Sequence, residues 1–188
     1  MRSAVLAAKE HDRRELDRPL GLLLAAAIGL LLASEPAAAR SDPVWVIPVP
    51  ASPAAIRARG RDHLADWTQW TVRALQAENI AARRVPALRR RPGGVDSVGL
   101  DAGQRVDNLD GAFVLRRIGR PPPRARVVVV DDIVTTGATL AAASEGVTTG
   151  LQLARSMIGT AVVAATQRNH APAPGKTARS LAHPGRSH

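Results

Sequence analysis

The amino-acid sequence predicts an α/β domain built around a mostly parallel β-sheet. Short apolar runs rich in β-branched residues alternate with segments of helical spacing, as expected where helices connect parallel strands. The strongest run is residues 127–130, a row of valines without the apolar and polar alternation of a half-exposed strand. Such a run is typical of a central parallel strand that is covered on both faces. At 188 residues the chain is long enough for one domain with a substantial core.

The composition narrows the chemistry that the chain can perform. It contains no cysteine, which excludes disulfides, zinc ribbons and thiol nucleophiles. The formal net charge is +10 and comes almost entirely from arginine, since the only lysines are Lys9 and Lys176. Arginine favours polyanionic ligands such as phosphorylated sugars or nucleic acid, although it also serves as an ordinary solvated cation. The aromatic residues are three tryptophans and one phenylalanine, which argues against a stacking platform for single-stranded nucleic acid.

An apolar run at residues 20–33 is compatible with three structures. Its apolar residues recur at helical spacing, which predicts a helix packed on the sheet. With the alanines at 37–39 it also resembles a signal peptide, and as a membrane span it is short. Residues 2–18 carry acids and bases in nearly equal number, which a signal peptide rarely does. We therefore expect residues 1–41 to form a helical segment on the core of a cytoplasmic protein, with export through residues 20–39 as the alternative.

The first strand is predicted at residues 44–47, and the prolines after it predict a loop that carries Arg57 and Arg59. Asp62 is expected to cap a helix over residues 62–78, with His63 beside it on the surface. The remaining elements are predicted strands at residues 84–88, 112–115 and 160–166, a helix over residues 139–156 and a disordered basic tail over residues 169–188. Residues 89–110 show no period, and a long aperiodic stretch of this kind is often a functional lid.

The segment that follows the valine run carries the chemistry. Asp131 and Asp132 come at the end of the strand, where ligands of open α/β sheets bind. A turn rich in hydroxyl groups and glycine comes next, and then a helix start whose amide groups attract an anion. The carboxylates can accept hydrogen bonds from a ribose diol, and the turn can hold a phosphate. The expected ligand-binding residues here are Asp131, Asp132, Thr135, Thr136, Gly137, Ala138 and Thr139.

Paired acids before a threonine-rich turn also make ordinary helix caps, so the acids alone would indicate nothing more. The full pattern is more specific. A hydrophobic strand followed by Asp-Asp-x-x-Thr-Thr-Gly resembles the phosphoribosyl pyrophosphate motif of type I phosphoribosyltransferases. Three further strings, Ile47-Pro48-Val49-Pro50, Arg57-Ala58-Arg59-Gly60 and Arg105-x-x-Asn108-x-x-Gly111-Ala112-Phe113, resemble the ComF-type competence family of predicted amidophosphoribosyltransferases over residues 2–168.

The resemblance implies a type I phosphoribosyltransferase fold, with the phosphoribosyltransferase domain at residues 42–168. It implies an enzyme that binds phosphoribosyl pyrophosphate and transfers the phosphoribosyl group to an acceptor that the sequence does not identify. Asp131 and Asp132 would bind the ribose hydroxyls and stabilise the developing charge, and residues 135–139 would bind the 5-phosphate. Arg57 and Arg59 would lie near the pyrophosphate, and Arg105 would act in catalysis from the lid. Mg²⁺ is expected to enter with the ligand rather than in a protein metal site.

The alternative is a binding module that holds the same ligand without catalysis and acts in DNA uptake or processing through protein partners. No stable membrane insertion is expected in either case. The chain departs from the ComF pattern because it lacks the cysteine-rich ribbon of many relatives, and because Arg61 and Ser97 stand where an aromatic residue and a glutamine are usual. Its five histidines have no metal-ligand spacing, so no protein metal site is expected.

Overall fold

The computed structural model describes residues 1–36, 42–91, 111–154 and 158–165, and it confirms the α/β class. Its helices are α1 (Arg2–Glu10), α2 (Asp17–Ala33), α3 (Pro53–Arg59), α4 (His63–Ala77) and α5 (Ala138–Leu151), with a 3₁₀ turn at Arg14–Leu16. Its strands are β1 (Val44–Pro48), β2 (Ala82–Arg84), β3 (Leu88–Arg90), β4 (Phe113–Leu115), β5 (Arg126–Val134) and β6 (Ile158–Ala165). Strands β2, β1, β5 and β6 lie side by side in that order, and each neighbouring pair is parallel. Strands β3 and β4 form a separate antiparallel pair.

Strand β5 lies at the centre of the sheet, between β1 and β6. The valines at 127–130 are at most 1% exposed, which confirms that this run is covered on both faces. The strand continues beyond the predicted run because β6 stays paired with it as far as Val134. On its other side, the pairing with β1 ends at Val130, opposite the last residue of β1. Asp131 and Asp132 therefore lie within the strand, beside the point where β1 departs.

Helix α2 packs against α4 and β6 and forms over the predicted apolar run. Its inner face repeats every four residues and is nearly inaccessible to solvent, with Leu20, Leu24, Ile28 and Leu32 at most 6% exposed. Its outer face carries the exposed side chains of Leu22, Leu23 and Leu30. Within the described residues, one helical stretch, Arg14–Ala33, is long and apolar enough by length and composition to cross a membrane.

Helices α2 and α4 approach each other closely at Gly21. A Cβ atom at this position would lie 2.5 Å from the Cβ of Trp70 and 2.7 Å from the carbonyl oxygen of Trp67. The same close approach lets the Thr71 hydroxyl donate a hydrogen bond to the Gly21 carbonyl oxygen at 3.0 Å. The spacing of the two helices therefore requires glycine at this position.

An ionic cluster around the buried carboxylate of Asp17 joins α2 to α4 and to the residues directly before it. The carboxylate of Asp17 accepts two hydrogen bonds from the Arg61 guanidinium, at 2.6 and 3.1 Å, and a third from the indole N–H of Trp67 at 2.8 Å. Arg61 also donates to Asp66 and Asp12. Its bonds to Asp17, followed by those to Asp66 and Asp12, raise the pKa of Arg61, so the cluster always contains a cation. Arg61, a departure from the ComF pattern, thus makes a structural contact.

The predicted loop after β1 is wrong in part, because Arg57 and Arg59 lie in helix α3. Ser52 precedes this helix and its hydroxyl accepts a hydrogen bond from the Ala55 amide at 3.1 Å. Pro53 stands in the first turn, where its missing N–H costs nothing, so the proline that was expected to prevent regular structure begins the helix. The helix ends at Gly60, whose φ of 77° is favourable for glycine.

The predicted strand at residues 84–88 is also wrong, since the chain divides there into β2 and β3. Pro86 lies between them and has no N–H to donate, which prevents one continuous strand. Strand β2 joins the main sheet beside β1, whereas β3 pairs with β4. Arg89 and Arg90, expected in the lid, belong to β3, and residues 92–110 lie outside the described part of the chain, as does the expected tail.

Helix α5 ends at Leu151 rather than near residue 156, because Gln152 adopts a left-handed conformation with φ of 54°. The glycines inside this helix have a packing reason. A Cβ at Gly146 would lie 2.9 Å from the carbonyl oxygen of Phe113, and one at Gly150 would lie 2.7 Å from the Cβ of Leu115. The helix therefore lies directly on β4, and its low intrinsic propensity is offset by this contact.

We predict that Gly21→Ala lowers the free energy of unfolding by about 1–3 kcal/mol, since the added methyl group overlaps α4. Gly29→Ala is the matched control in the same helix, because a Cβ at Gly29 has no neighbour within 4 Å among the described residues. That variant should gain up to about 1 kcal/mol from helix propensity. Urea unfolding measures both changes, and equal effects at the two glycines would contradict the close contact.

Candidate functional site

The divergence of β1 from β5 opens a cavity of about 360 Å³ at the carboxyl end of the sheet. Its walls come from α1, the connection between β1 and α3, α3 itself, the starts of α4 and α5, and strands β3 and β5. The lining residues are Lys9, Val49, Pro50, Ala51, Ser52, Ala55, Arg59, Asp62, His63, Leu64, Arg90, Asp131, Asp132, Ile133 and Thr139. The cavity thus combines acidic and basic side chains from segments that are distant in the sequence.

The two expected carboxylates lie together in this cavity. The Asp132 amide donates a hydrogen bond to Asp131 Oδ1 at 2.9 Å, and the Ile133 amide donates to Asp132 Oδ1 at 2.6 Å. Burial raises the pKa of Asp131 to about 6, and the neighbouring charge of Asp132 adds to the increase. Lys9 and Arg90 oppose it. Asp131 therefore changes its charge near neutral pH, unlike an ordinary surface aspartate.

Lys9 is a site residue that the sequence did not indicate. Its ammonium group donates to Asp132 Oδ2 at 2.6 Å, and both side chains are about one fifth exposed, at 20% and 19%. The inner face of α1 explains the placement, since Val5 and Ala8 are completely buried and Lys9 follows on the same side. The contact joins residues 123 positions apart in the chain. The only signal in the sequence is the rarity of lysine in an arginine-rich protein.

The threonine-rich turn is only partly within the cavity. Thr139 lines the cavity, whereas Thr135 and Thr136 are exposed. Gly137 has a φ of 82°, as a tight turn before a helix requires, and the Ala138 amide donates to the Thr136 hydroxyl at 3.3 Å. The N-cap residue Gly137 makes no side-chain hydrogen bond to the start of α5, and Thr136 reaches only the first of its amides. Its first turn therefore keeps amide groups and the positive end of the helix dipole for an anion.

A second cavity of about 440 Å³ lies between α5 and the start of β6. Gly137, from the threonine-rich turn, lines it together with Leu140, Ala141, Ser144, Glu145, Thr148, Ile158 and Thr160. This cavity is larger but contains a single titratable side chain among its described lining residues, Glu145. The smaller cavity is the candidate site because the charged groups converge there.

Of the two arginines expected near the pyrophosphate, Arg57 and Arg59, only one lines the cavity within the described residues. Arg59 lines the cavity, whereas Arg57, two residues earlier on α3, does not belong to its described lining. Arg90 lines the cavity instead and was expected only as part of a lid. Its side chain donates to the Pro50 carbonyl oxygen at 3.2 Å, and its guanidinium lies 5.0 Å from the centre of the Phe113 ring. Arg105 lies outside the described residues.

His63 differs from expectation, since it is buried rather than on the surface. It is 4% exposed, and its ring meets that of Trp67 edge to face, with 6.2 Å between centroids. Asp62 does cap α4 as predicted, by accepting a hydrogen bond from the Ala65 amide at 3.3 Å. Burial lowers the pKa of His63, and the positive charges of Arg61, Arg59 and Lys9 lower it further. The imidazole is therefore neutral at neutral pH.

Within the described ranges, no group of three or more His, Cys, Asp or Glu side chains is arranged to hold a metal ion. The oxygen donors of the cavity are nevertheless of the type that Mg²⁺ prefers, since this ion usually binds one or two carboxylates together with phosphate oxygens of a ligand. Asp131 and Asp132 thus fit a metal ion that arrives with a phosphorylated ligand.

Comparison with known proteins gives a structural similarity and no match to a family. No family model matches the chain, and no curated protein matches it. Among solved structures, the chain is similar to the crystal structure of orotate phosphoribosyltransferase from Aeropyrum pernix. The two are 21% identical, the match covers 78% of this chain and 68% of that chain, and the TM-score is 0.33.

We predict that Asp131→Asn makes the protein more stable at neutral pH but not in acid. The pKa of Asp131 is about 6 in the folded chain against 3.8 for the free group, so the wild type loses stability as the pH rises through this window. Asparagine resembles the neutral acid and avoids the loss, which amounts to at most about 3 kcal/mol. Urea unfolding at about pH 4 and about pH 8 measures the difference between the variants. A difference that is equal at both pH values would show that Asp131 titrates normally.

Proposed function

We propose that this chain is a phosphoribosyltransferase-family protein that binds phosphoribosyl pyrophosphate in the cavity beside β5 and transfers the phosphoribosyl group to an acceptor. The observation that carries the proposal is the convergence of Asp131 and Asp132 with Thr139, Arg59 and Arg90 in one cavity. Each of these groups suits a different part of the ligand. The resemblance of the sequence to the ComF-type family and a cytoplasmic setting, where such a ligand is made, belong to the same proposal.

The ribose ring is assigned to the acidic pair. Carboxylate oxygens accept hydrogen bonds from neighbouring hydroxyl groups, and a charged acceptor makes these bonds stronger than neutral ones. Asp131 and Asp132 follow each other on β5 and are held by backbone amides at 2.9 and 2.6 Å. They are therefore fixed before the ligand arrives. Lys9 already satisfies one oxygen of Asp132 and balances its charge when the cavity is empty of ligand.

The 5-phosphate is assigned to the turn at residues 135–139. The first turn of a helix offers amide donors and a positive dipole end, and the N-cap residue Gly137 has no side chain to occupy them. The Ala138 amide bonds to the Thr136 hydroxyl, which leaves the later amides of this turn for the phosphate. Gly137 lets the backbone turn sharply in front of α5, and Thr139 adds a hydroxyl donor on the cavity side. This turn directly follows β5, the strand that carries Asp131. The ribose and the phosphate attached to it can therefore bind to neighbouring parts of the chain.

The pyrophosphate is assigned to Arg59 and Arg90, because guanidinium groups bind phosphate oxygens in bidentate geometry. In the reaction, a lone pair of the acceptor forms a bond to C1 of the ribose. The bond from C1 to the pyrophosphate oxygen breaks, and pyrophosphate leaves with the bonding electrons. Mg²⁺, when bound, neutralises charge on the pyrophosphate, with Asp131 and Asp132 as its candidate protein ligands. The arginines hold the leaving group, and the carboxylates face the positive charge that develops on the ring.

Calorimetric titration with phosphoribosyl pyrophosphate and Mg²⁺ tests the assignment of the acidic pair. The double variant Asp131→Asn, Asp132→Asn should bind at least a hundredfold more weakly, since each lost charged hydrogen bond costs about 1.5–3 kcal/mol. The matched control replaces two exposed carboxylates elsewhere, Glu78→Gln and Glu145→Gln, and should bind as the wild type does. Equal affinity of the wild type and the Asp131, Asp132 double variant would remove the site assignment.

Release of pyrophosphate separates an enzyme from a binding module. The wild-type protein is incubated with phosphoribosyl pyrophosphate, Mg²⁺ and a panel of amine and nucleobase acceptors. We expect pyrophosphate release that depends on one class of acceptor. Arg59→Ala should reduce this release, because Arg59 is assigned to the leaving group. Binding without release across the whole panel would favour the non-catalytic module that acts through protein partners in DNA uptake.

A further inference from the structure

Two buried polar atoms have no hydrogen-bond partner among the described residues, Nε1 of Trp45 and Nε2 of His63. Buried polar groups are nearly always paired in native proteins, and each exception indicates strain, a functional role or a missing partner. The two atoms lie in different surroundings. Trp45 is on β1 beneath the Arg83 guanidinium, which is 5.3 Å from its ring centre, and it is not among the lining residues of the candidate site. His63 lines the cavity.

The ring of His63 is held in place by the surrounding protein. It is 4% exposed and packs edge to face on Trp67, and the Asp62 cap fixes the first turn of α4 beneath it. Trp67 is in turn bonded to Asp17 through its indole N–H. A buried ring that is fixed by packing and belongs to a residue lining the cavity is suited to orient a ligand.

The charges around His63 indicate what kind of group would pair with it. Lys9, Arg59 and Arg90 line the same cavity, and the positive charges of Arg61, Arg59 and Lys9 act on the imidazole. Asp62, Asp131 and Asp132 also line the cavity, so its charge is mixed, but the largest charge effects on the imidazole come from these cations. Cations attract anionic oxygen atoms, and the N–H of a neutral imidazole can donate to them. His63 follows Arg59 by four residues, and Arg59 is assigned to the pyrophosphate. The 5-phosphate is assigned to a different segment, residues 135–139.

We propose that His63 is a ligand-binding residue of this cavity, whose Nε2–H donates to an oxygen of the pyrophosphate group. The inference rests on the proposed function and adds a specificity determinant to it. It accounts for the buried Nε2 atom, since the ligand supplies a partner that no described residue supplies. It also predicts a different effect for His63 than for the acidic pair. A substitution at His63 should weaken the binding of ligands that carry pyrophosphate and leave the binding of ribose 5-phosphate unchanged.

The test compares His63→Phe, which keeps a ring of similar size but has no donor, with His63→Gln, which keeps an N–H at similar reach. Calorimetry measures binding of phosphoribosyl pyrophosphate, inorganic pyrophosphate and ribose 5-phosphate, each with Mg²⁺. We expect His63→Phe to weaken the first two ligands about tenfold or more and to leave ribose 5-phosphate unchanged. His63→Gln should restore most of the loss. Trp45→Phe, which removes the other unpaired atom, should bind all three ligands as the wild type does.

Melting temperature distinguishes a binding role from a structural one. Since His63→Phe removes a buried nitrogen that no described residue pairs with, its melting temperature should equal or exceed that of the wild type. Equal affinity of wild type and His63→Phe for pyrophosphate ligands would overturn the role of His63 while leaving the proposed function intact. An equal loss for all three ligands with a lower melting temperature in both His63 variants would also overturn it. If the wild type bound no phosphoribosyl pyrophosphate, the proposed function itself would fail.

Discussion

The buried carboxylate of Asp17 is the contact on which the arrangement of the candidate site depends. It accepts hydrogen bonds from Arg61, which lies just before α4, and from Trp67 within α4. These bonds hold α2 against α4. A buried charge that loses one partner costs about 3–5 kcal/mol, so the docking is strongly specified. Arg61 directly precedes Asp62 and His63, so the same contact fixes the wall of the cavity that α4 provides. Arg61 also donates to the exposed Asp12 in the chain before α2, and Lys9 of α1 contacts Asp132 near the end of β5.

The cavity itself follows from the unequal lengths of neighbouring strands. Strand β1 ends opposite Val130, whereas β6 accompanies β5 to Val134, so Asp131 is paired on one side and borders the cavity on the other. This placement has a cost. Asp131 is desolvated enough to raise its pKa to about 6, and Nε2 of His63 has no hydrogen-bond partner in the part of the chain that the structure describes. Proteins tolerate local costs of this kind most often where a ligand repays them, and both groups lie in the same cavity.

The sequence predicted the parts of the fold that depend on local pattern. The valine run was enough to place β5 at the centre of the sheet, and the acids after it were expected where the cavity lies. Helix α3 was missed because Pro53 was taken as a breaker although Ser52 before it makes a cap. Lys9, Arg90 and His63 were missed for another reason, because their roles arise from contacts distant in sequence. The bond from Lys9 to Asp132 spans 123 positions, and no local pattern encodes such a pairing.

A crystal structure of the protein with phosphoribosyl pyrophosphate and Mg²⁺ would show whether the cavity beside β5 holds a phosphoribosyl group, as we propose. We expect ribose hydroxyl oxygens within about 3.2 Å of the Asp131 and Asp132 carboxylates, since that is the range of a hydrogen bond. We also expect the 5-phosphate at the start of α5 and the pyrophosphate beside Arg59. Electron density for the ligand in the second cavity, between α5 and β6, or on the surface away from the acidic pair, would show that the cavity beside β5 is not the binding site.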